Sequence, residues 1–256
     1  MNETYYLAYL HTLWLNHSDF FEIFEKNDIS PKYIFENMSE ELLVKYISSA
    51  EKREKILEKY KKINIAKLKK ILENLNVRII TLQDTDFPES LKQIPHCPYL
   101  LYVRGNLPQW DAFGVVWSRS ISSYGKKCIA KLIPDLTKVF TIISWWALGC
   151  DTEAHKVAMH SWGKTIIVTG TGIEQTYPIK NTVIFEEIIE KDAGAIVSIF
   201  PLWEEPMPYN FPIRNEIVVG LSKGVLVVEA KEKSGSLITA GLCLDLGRDL
   251  FALPGD

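Results

Sequence analysis

Positive charge is in short supply. The 29 Lys and Arg are outnumbered by 32 Asp and Glu, for a formal net charge of −3. The chain therefore does not coat nucleic acid through bulk charge, and any contact with a polyanion has to be a local patch. Cysteine is scarce as well. Cys97, Cys128, Cys150 and Cys243 show neither CxxC nor Cys/His ligand spacing, which excludes the common metal-site patterns and leaves reduced, mostly buried thiols in a cytosolic setting. Long apolar runs are missing: the longest, 139–150, is too short to span a bilayer. The start, MNETYYLAYLHTLWL, has no basic n-region and no small-residue cleavage site, so it does not read as a signal peptide. There is no HxE, HExxH or Walker pattern and no nucleophile–base–orienter set, so enzyme chemistry has little support.

What is present is a core and two regimes of patterning. Apolar residues make up 47% of 256 residues, enough for one large domain and a small one. Residues 1–75 read as helical. Leu42, Leu43, Tyr46 and Ile47 repeat at helical spacing after an N-cap signal at Ser39. The stretch 51–73 reads as helix and carries nine basic against four acidic residues, a local +5. A solvated face with i,i+4 pairs explains that charge, and an accessory contact to nucleic acid is the alternative. Residues 76–111 read as a linker with lead-in strands: strands at 77–82 and 99–103 flank a turn-rich segment at 84–98 with Pro88, Pro95 and Pro98.

From about 112 to 256 strand, loop and helix alternate. Strands are predicted at 113–117, 139–144, 165–169, 195–199, 225–229 and 249–253. Helices are predicted at 124–137, 150–161, 182–191, 213–221 and 237–246. Apolar β-branched strands alternating with helices predict an α/β fold, a mostly parallel sheet covered on both faces. In such sheets ligands sit beyond the carboxyl ends of the strands. Ser118-Arg119, Ser144, Gly170-Thr171-Gly172 and Ser198 are all expected there. Glycines let backbone approach a phosphate, helix N-termini aim N–H groups at it, and arginine neutralises it. Arg119 before a helix entry, Arg214-Asn215 in FPIRN, and Ser234-Gly235-Ser236 at a helix start supply those parts, with Lys223 extending a basic rim. Plain N-capping is the structural alternative for the serines, and a surface ion pair for Arg119. Asp151 and His155 share a helix face, and a capping carboxylate and a packed imidazole explain them better than an acid–base pair.

These stretches carry a family resemblance. Ser118-Arg119 with Ser123-Tyr124-Gly125, Gly149 and Asp151 with Ala154-His155, and Gly170-Thr171-Gly172 with Tyr177-Pro178 come first. Phe211-Pro212 with Arg214-Asn215, Gly220-Leu221-Ser222, Val228-Glu229-Ala230, the run from Ser234 to Ala240, Gly247-Arg248 and Pro254-Gly255 follow. Together they resemble the DNA-processing protein A family, also called Smf, over essentially the whole chain. The resemblance implies an extended Rossmann-like DNA-binding domain at 112–256 behind a small helical, SAM-like domain at 1–75. Members bind single-stranded DNA, load RecA onto it in natural transformation, act as dimers in the cytoplasm and need no cofactor. By that resemblance Arg119 and Arg214 correspond to DNA-contacting arginines, with Lys180 and Lys223 as further candidates. The family usually continues beyond Pro254-Gly255-Asp256, in some members with a winged-helix-like domain that this sequence does not show.

The departures from the family pattern cluster. Trp117 and Trp145 stand where glycine is usual, and Trp146 where a small residue is common. Leu148 replaces arginine or a similar residue, Ile199 replaces glutamate, and Glu216 replaces arginine. Indoles at backbone-approach positions are expected to block a phosphate, and Glu216 to reverse local charge, so weakened single-strand binding is predicted. Exposed indoles would instead offer stacking surface for bases. Two other classes stay open. Related Rossmann-like hydrolases of nucleotide-type N-glycosidic bonds carry a PGGxGT loop, whereas this chain reads KSGSLITA from Lys233 to Ala240. A DNA-independent protein-interaction scaffold is the other.

Overall fold

The computed structural model describes residues 3–109, 111–116, 121–230 and 235–254, with Ser236 described in its backbone only. The N-terminal helices are α1 (Glu3–Thr12), α2 (His17–Phe20), α3 (Pro31–Glu36), α4 (Glu40–Leu43), α5 (Ala50–Lys62) and α6 (Ile65–Asn74), with a π-helical turn at Phe21–Glu25 after α2. Ser39 caps α4 as its sequence predicts, accepting from the Leu42 N–H. The run 51–73 is not one helix. Ile63 is extended and the Asn64 side chain accepts from the Lys67 N–H, so an N-cap interrupts the lysine-rich stretch.

The remaining elements are β1 (Arg78–Thr81), α7 (Glu89–Lys92), β2 (Leu100–Gly105), β3 (Ala112–Val116), α8 (Ser123–Leu136), β4 (Thr141–Ser144), α9 (Cys150–His160), β5 (Thr165–Val168), α10 (Thr182–Glu190), β6 (Gly194–Ser198), α11 (Asn210–Leu221), β7 (Ser222–Val227), α12 (Gly235–Asp245) and β8 (Asp249–Ala252). Among the described residues these strands form one eight-stranded sheet in the order β1-β2-β6-β5-β4-β3-β7-β8. The pairs β6-β5, β5-β4, β4-β3, β3-β7 and β7-β8 are parallel, while β2 pairs antiparallel with both β1 and β6. The lead-in stretch thus adds two strands to the same sheet, and its turn-rich part holds α7.

Strands buried on both sides need two covering layers. One layer packs Ile143, Val168, Val197 and Val225 against α11, α12 and α7 through Ile217, Cys243 and Leu91. The other face is covered by α8 and α9 at one end and by α10 with the N-terminal helices at the other. Tyr99, Leu100, Tyr102, Ile167 and Ile196 share a continuous core with α1, α3, α5 and α6.

The half-buried His17 imidazole fastens the helical part to the sheet. The His17 Nε2–H donates to the Ile199 carbonyl at 3.0 Å, and Nδ1 accepts the Tyr99 N–H at 3.0 Å. The neutral tautomer satisfies both nitrogens, and burial lowers the His17 pKa to about 4. His155 is similar: Nε2 donates to the Trp145 carbonyl at 2.9 Å, Nδ1 faces the Thr165 hydroxyl at 2.7 Å, and burial again lowers its pKa to about 4. Because both folded values lie below the ordinary 6.5, the stability these groups contribute is present above pH 6.5 and is lost as pH falls toward 4. At pH 5 the loss is on the order of 2 kcal/mol each. Asp151 acts in the opposite sense: burial raises its pKa to about 7, so its protonation adds stability as pH falls through that value. Asp151→Asn is therefore expected to steepen the loss of stability between pH 7 and 5 in denaturant titrations. The imidazole C–H resonances of His17 and His155 should stay flat between pH 7.5 and 5.5, and a titration of either near its ordinary value would contradict this assignment.

Candidate functional site

The strand order reverses between β3 and β7, since β4, β5 and β6 lie to one side of β3 and β7 and β8 to the other. A crevice at such a switch point opens at the carboxyl ends of the strands. Trp117, Ser118 and Arg119, after β3, and Ser234, before α12, lie outside the described residues. Gly235 opens α12, and a Cβ built on it meets nothing within 4 Å.

The described wall of the crevice comes from β4, β5, β6 and the first turn of α11. Sequence patterning started that helix at 213, but it begins at Asn210. Pro212 is tolerated in a first turn, where N–H groups have no intrahelical partner. Arg214 and Asn215 consequently sit on the helix rather than in a loop. The Asn210 Nδ2 donates to the Gly170 carbonyl at 3.2 Å, clipping the helix to the glycine loop. A Cβ at Gly170 would lie 3.4 Å from the Phe211 ring and 3.9 Å from the Arg214 Nη1. The Arg214 guanidinium stacks 5.1 Å from the Trp145 ring and 5.3 Å from that of Phe211, and the residue is 8% exposed. Asn215 is buried, and its Oδ1 has no hydrogen-bond partner among the described residues.

Below this pair lies Asp151 at the start of α9. Its carboxylate accepts the Ala147 N–H at 3.0 Å, and its interactions with Arg214 and Ser144 only partly offset the effect of burial on its pKa. His155 has other partners, so no Asp151–His155 acid–base pair forms. The loop hydroxyls are spent internally. Ser198 Oγ donates to the Thr171 carbonyl at 2.7 Å, Thr171 Oγ1 to the Gly172 and Gln175 carbonyls, and Ser144 Oγ to the Val115 carbonyl at 2.5 Å. A Cβ at Gly172 would stand 2.8 Å from the Pro201 carbonyl oxygen, so that position needs glycine.

The sequence-predicted residues do not all converge. Gly170, Thr171, Gly172, Arg214, Asn215 and Trp145 do. Trp146 points to the opposite face of the sheet, into the core shared with the N-terminal helices, 5.4 Å from Phe185. Trp145 belongs to the α11 side. The alternation of a strand continues past β4 and separates adjacent indoles. Both are buried, at 5% and 2% exposure, so neither is a rim obstacle. Ile199 is buried and engages His17 through its carbonyl. Glu216 is held by His96, whose Nδ1 is 3.0 Å from one carboxylate oxygen. Lys180 is exposed in the turn Ile179–Asn181, which Asn181 fastens to Thr152 of α9. Lys223 follows the far end of α11, 3.6 Å from Asp111. A 12-residue helix spans roughly 18 Å, so Lys223 lies at the amino edge of the sheet and does not extend the Arg214 rim. Among the described residues there is no group of His, Cys, Asp and Glu that could hold a metal ion.

Comparison with known proteins agrees with this architecture. The family model described as DNA recombination-mediator protein A matches residues 78–256. The DNA processing protein DprA of Streptococcus pneumoniae is 37% identical over 225 residues, covering 86% of this chain and 78% of the relative. Its X-ray structure superposes with a TM-score of 0.80 at 32% identity, over 99% of this chain and 87% of that one. Protein Smf of Escherichia coli is 42% identical over 187 residues, 72% of this chain, and the match spans only 50% of that relative. The structure of DNA processing protein A from Helicobacter pylori, which concerns its single-stranded DNA binding mode, gives a TM-score of 0.62 at 27% identity, over 70% of this chain and 82% of that one.

Proposed function

Because the chain belongs to the DNA recombination-mediator protein A family, we propose that it is a non-enzymatic, cytoplasmic single-stranded-DNA-binding factor that loads RecA in natural transformation and recombination. It works as a homodimer and without a cofactor. The division into a helical unit at 1–75, a lead-in at 76–111 and a DNA-binding unit at 112–256 belongs to the same reading. Among the described residues, no helix is long and apolar enough to cross a membrane.

The observation that supports the reading most is the meeting of Gly170 and Arg214 at the carboxyl edge of the sheet. Glycine backbone beside a guanidinium suits a phosphate. In this reading Ser118, Arg119, Ser234, Gly235 and Ser236 are further DNA-binding residues, with Lys180 beside them. The cleft is weak because Arg214 is tied down: its charge rests on the Trp145 indole in a buried setting, so a phosphate has to compete for it. Steric filling of the rim by Trp145 and Trp146 is not the reason, and Glu216, paired with His96, is a lesser term.

The test is RecA recruitment to single-stranded DNA by the purified chain, with release of free base or nucleotide followed in the same mixture. Stimulated RecA assembly without base release is the expected result. Base release would favour the N-glycosidic hydrolase reading, and RecA capture that is indifferent to DNA would favour the scaffold reading.

A further inference from the structure

Outside the cleft, two exposed indoles among the described residues have ammonium groups against them. Trp14, just after α1, is 47% exposed. Lys59 Nζ lies 4.4 Å and Lys55 Nζ 5.3 Å from its ring centroid. Trp203, in the loop between β6 and α11, is 39% exposed, with Lys67 Nζ at 5.2 Å. Their φ angles are +75° and +67°, a left-handed conformation that bulky residues rarely adopt. Core packing does not account for indoles held outward in this way.

The two indoles belong to one strip that leads to the cleft. The Trp203 N–H donates to Glu174 Oε1 at 2.7 Å, and the next carbonyl, that of Glu204, accepts the Gly172 N–H at 2.9 Å and the Gln175 amide at 2.8 Å. The loop bearing Trp203 is thereby fastened to the glycine loop. Lys59, against Trp14, donates to the Thr12 carbonyl at 3.4 Å and is also within electrostatic reach of Glu204, which favours its charged form against the effect of burial. The acids along the strip are largely engaged. Glu204 accepts from Tyr209 and Asn210, Glu51 pairs with Lys55, and Glu73 pairs with Lys69, while Glu54 and Glu58 face solvent. Of the cations in 51–73, Lys52 and Arg53 are taken up by Asp19 and Glu40, so the charge the strip offers a polyanion is local, that of Lys55, Lys59 and Lys67 at the two indoles.

We propose that this strip is a second tract for single-stranded DNA, in which bases stack on Trp203 and Trp14 while Lys67, Lys59 and Lys55 neutralise phosphates. The proposal rests on the reading of the carboxyl-edge cleft as a single-strand site and extends it onto the helical domain. Every base has a face that stacks on indole, so the tract is sequence-tolerant, and a duplex hides those faces. Flexible lysine stems let each ammonium move from ring to phosphate as a base arrives.

The experiment uses the full chain with a roughly 6-nucleotide and a roughly 25-nucleotide oligothymidine and a duplex of the longer length. Trp14→Ala and Trp203→Ala are each expected to weaken binding of the long strand about fivefold or more and to leave the short strand and the duplex unchanged. The phenylalanine variants should retain most of the affinity, which separates stacking from misfolding. The triple variant Lys55→Gln, Lys59→Gln, Lys67→Gln should lower the salt slope on the long strand by about 2. Equal binding of the long strand by wild type and both alanine variants overturns the tract and leaves the cleft reading intact. Failure of Arg214→Ala to weaken the short strand overturns the cleft reading and leaves the tract standing. Lysine effects without tryptophan effects, or equal losses on duplex, overturn stacking. A wild-type chain that binds neither oligonucleotide overturns both.

Discussion

Trp146→Ala is expected to lower the free energy of unfolding by about 3–5 kcal/mol and to leave single-strand affinity unchanged. Trp146 is among the largest fully buried side chains, and it meets Phe185 edge-on at 5.4 Å. Truncation leaves a cavity between the sheet and α10 that rigid strands cannot close. One term works the other way: the indole Nε1 has no hydrogen-bond partner among the described residues, and an unsatisfied buried N–H costs about 1–3 kcal/mol. Removing it keeps the net loss toward the lower end of the range. Urea unfolding followed by circular dichroism measures the loss. A variant as stable as wild type would mean that Trp146 is not packed as described, and a gain in DNA affinity would mean that it reaches the cleft.

Trp145→Gly is expected to lose comparable stability and yet to bind oligothymidine about tenfold more tightly. The indole is the floor on which Arg214 rests, 5.1 Å away. A desolvated cation–π contact is worth up to about 2 kcal/mol, and each 1.4 kcal/mol is about tenfold in affinity. Without that contact a phosphate has one competitor fewer for the guanidinium, which Phe211 and Asp151 still face. Affinity has to be read well below the variant's melting temperature, so that unfolding does not mask the gain. Unchanged or weaker binding would mean that Trp145 supports Arg214 in a binding-ready pose rather than restraining it. The different effects of two neighbouring tryptophans on affinity follow from their opposite faces.

The parallel sheet was legible because apolar β-branched runs alternate with helical periodicity, and each strand lies within a few residues of its expected place. Local chemistry moved the boundaries. Asn64 acts as a cap within a lysine-rich run, and Pro212 fits inside a first helical turn, which shifts Arg214 from loop to helix. The meeting of Gly170 with Arg214 followed from the rule that ligands gather at strand carboxyl ends. The fate of the tryptophans did not, because the family resemblance implies that indoles stand where small residues are usual but not which face each takes after the strand ends. Lys223 illustrates a related limit: nine residues after Arg214 it looks adjacent in sequence, but α11 carries it to the other edge of the sheet. The exposed Trp14 and Trp203 gave no sequence signal, since the lysines against them come from different elements.

The central claim is that Arg214, at the carboxyl edge of the sheet, meets a phosphate of single-stranded DNA. The salt dependence of oligothymidine binding by wild type and by Arg214→Ala tests it most directly. Wild-type affinity should fall as salt rises, and the variant should bind more weakly with a slope shallower by about 0.7, the loss of one single-strand phosphate contact. Identical slopes and affinities, or wild-type binding that ignores salt, would contradict it.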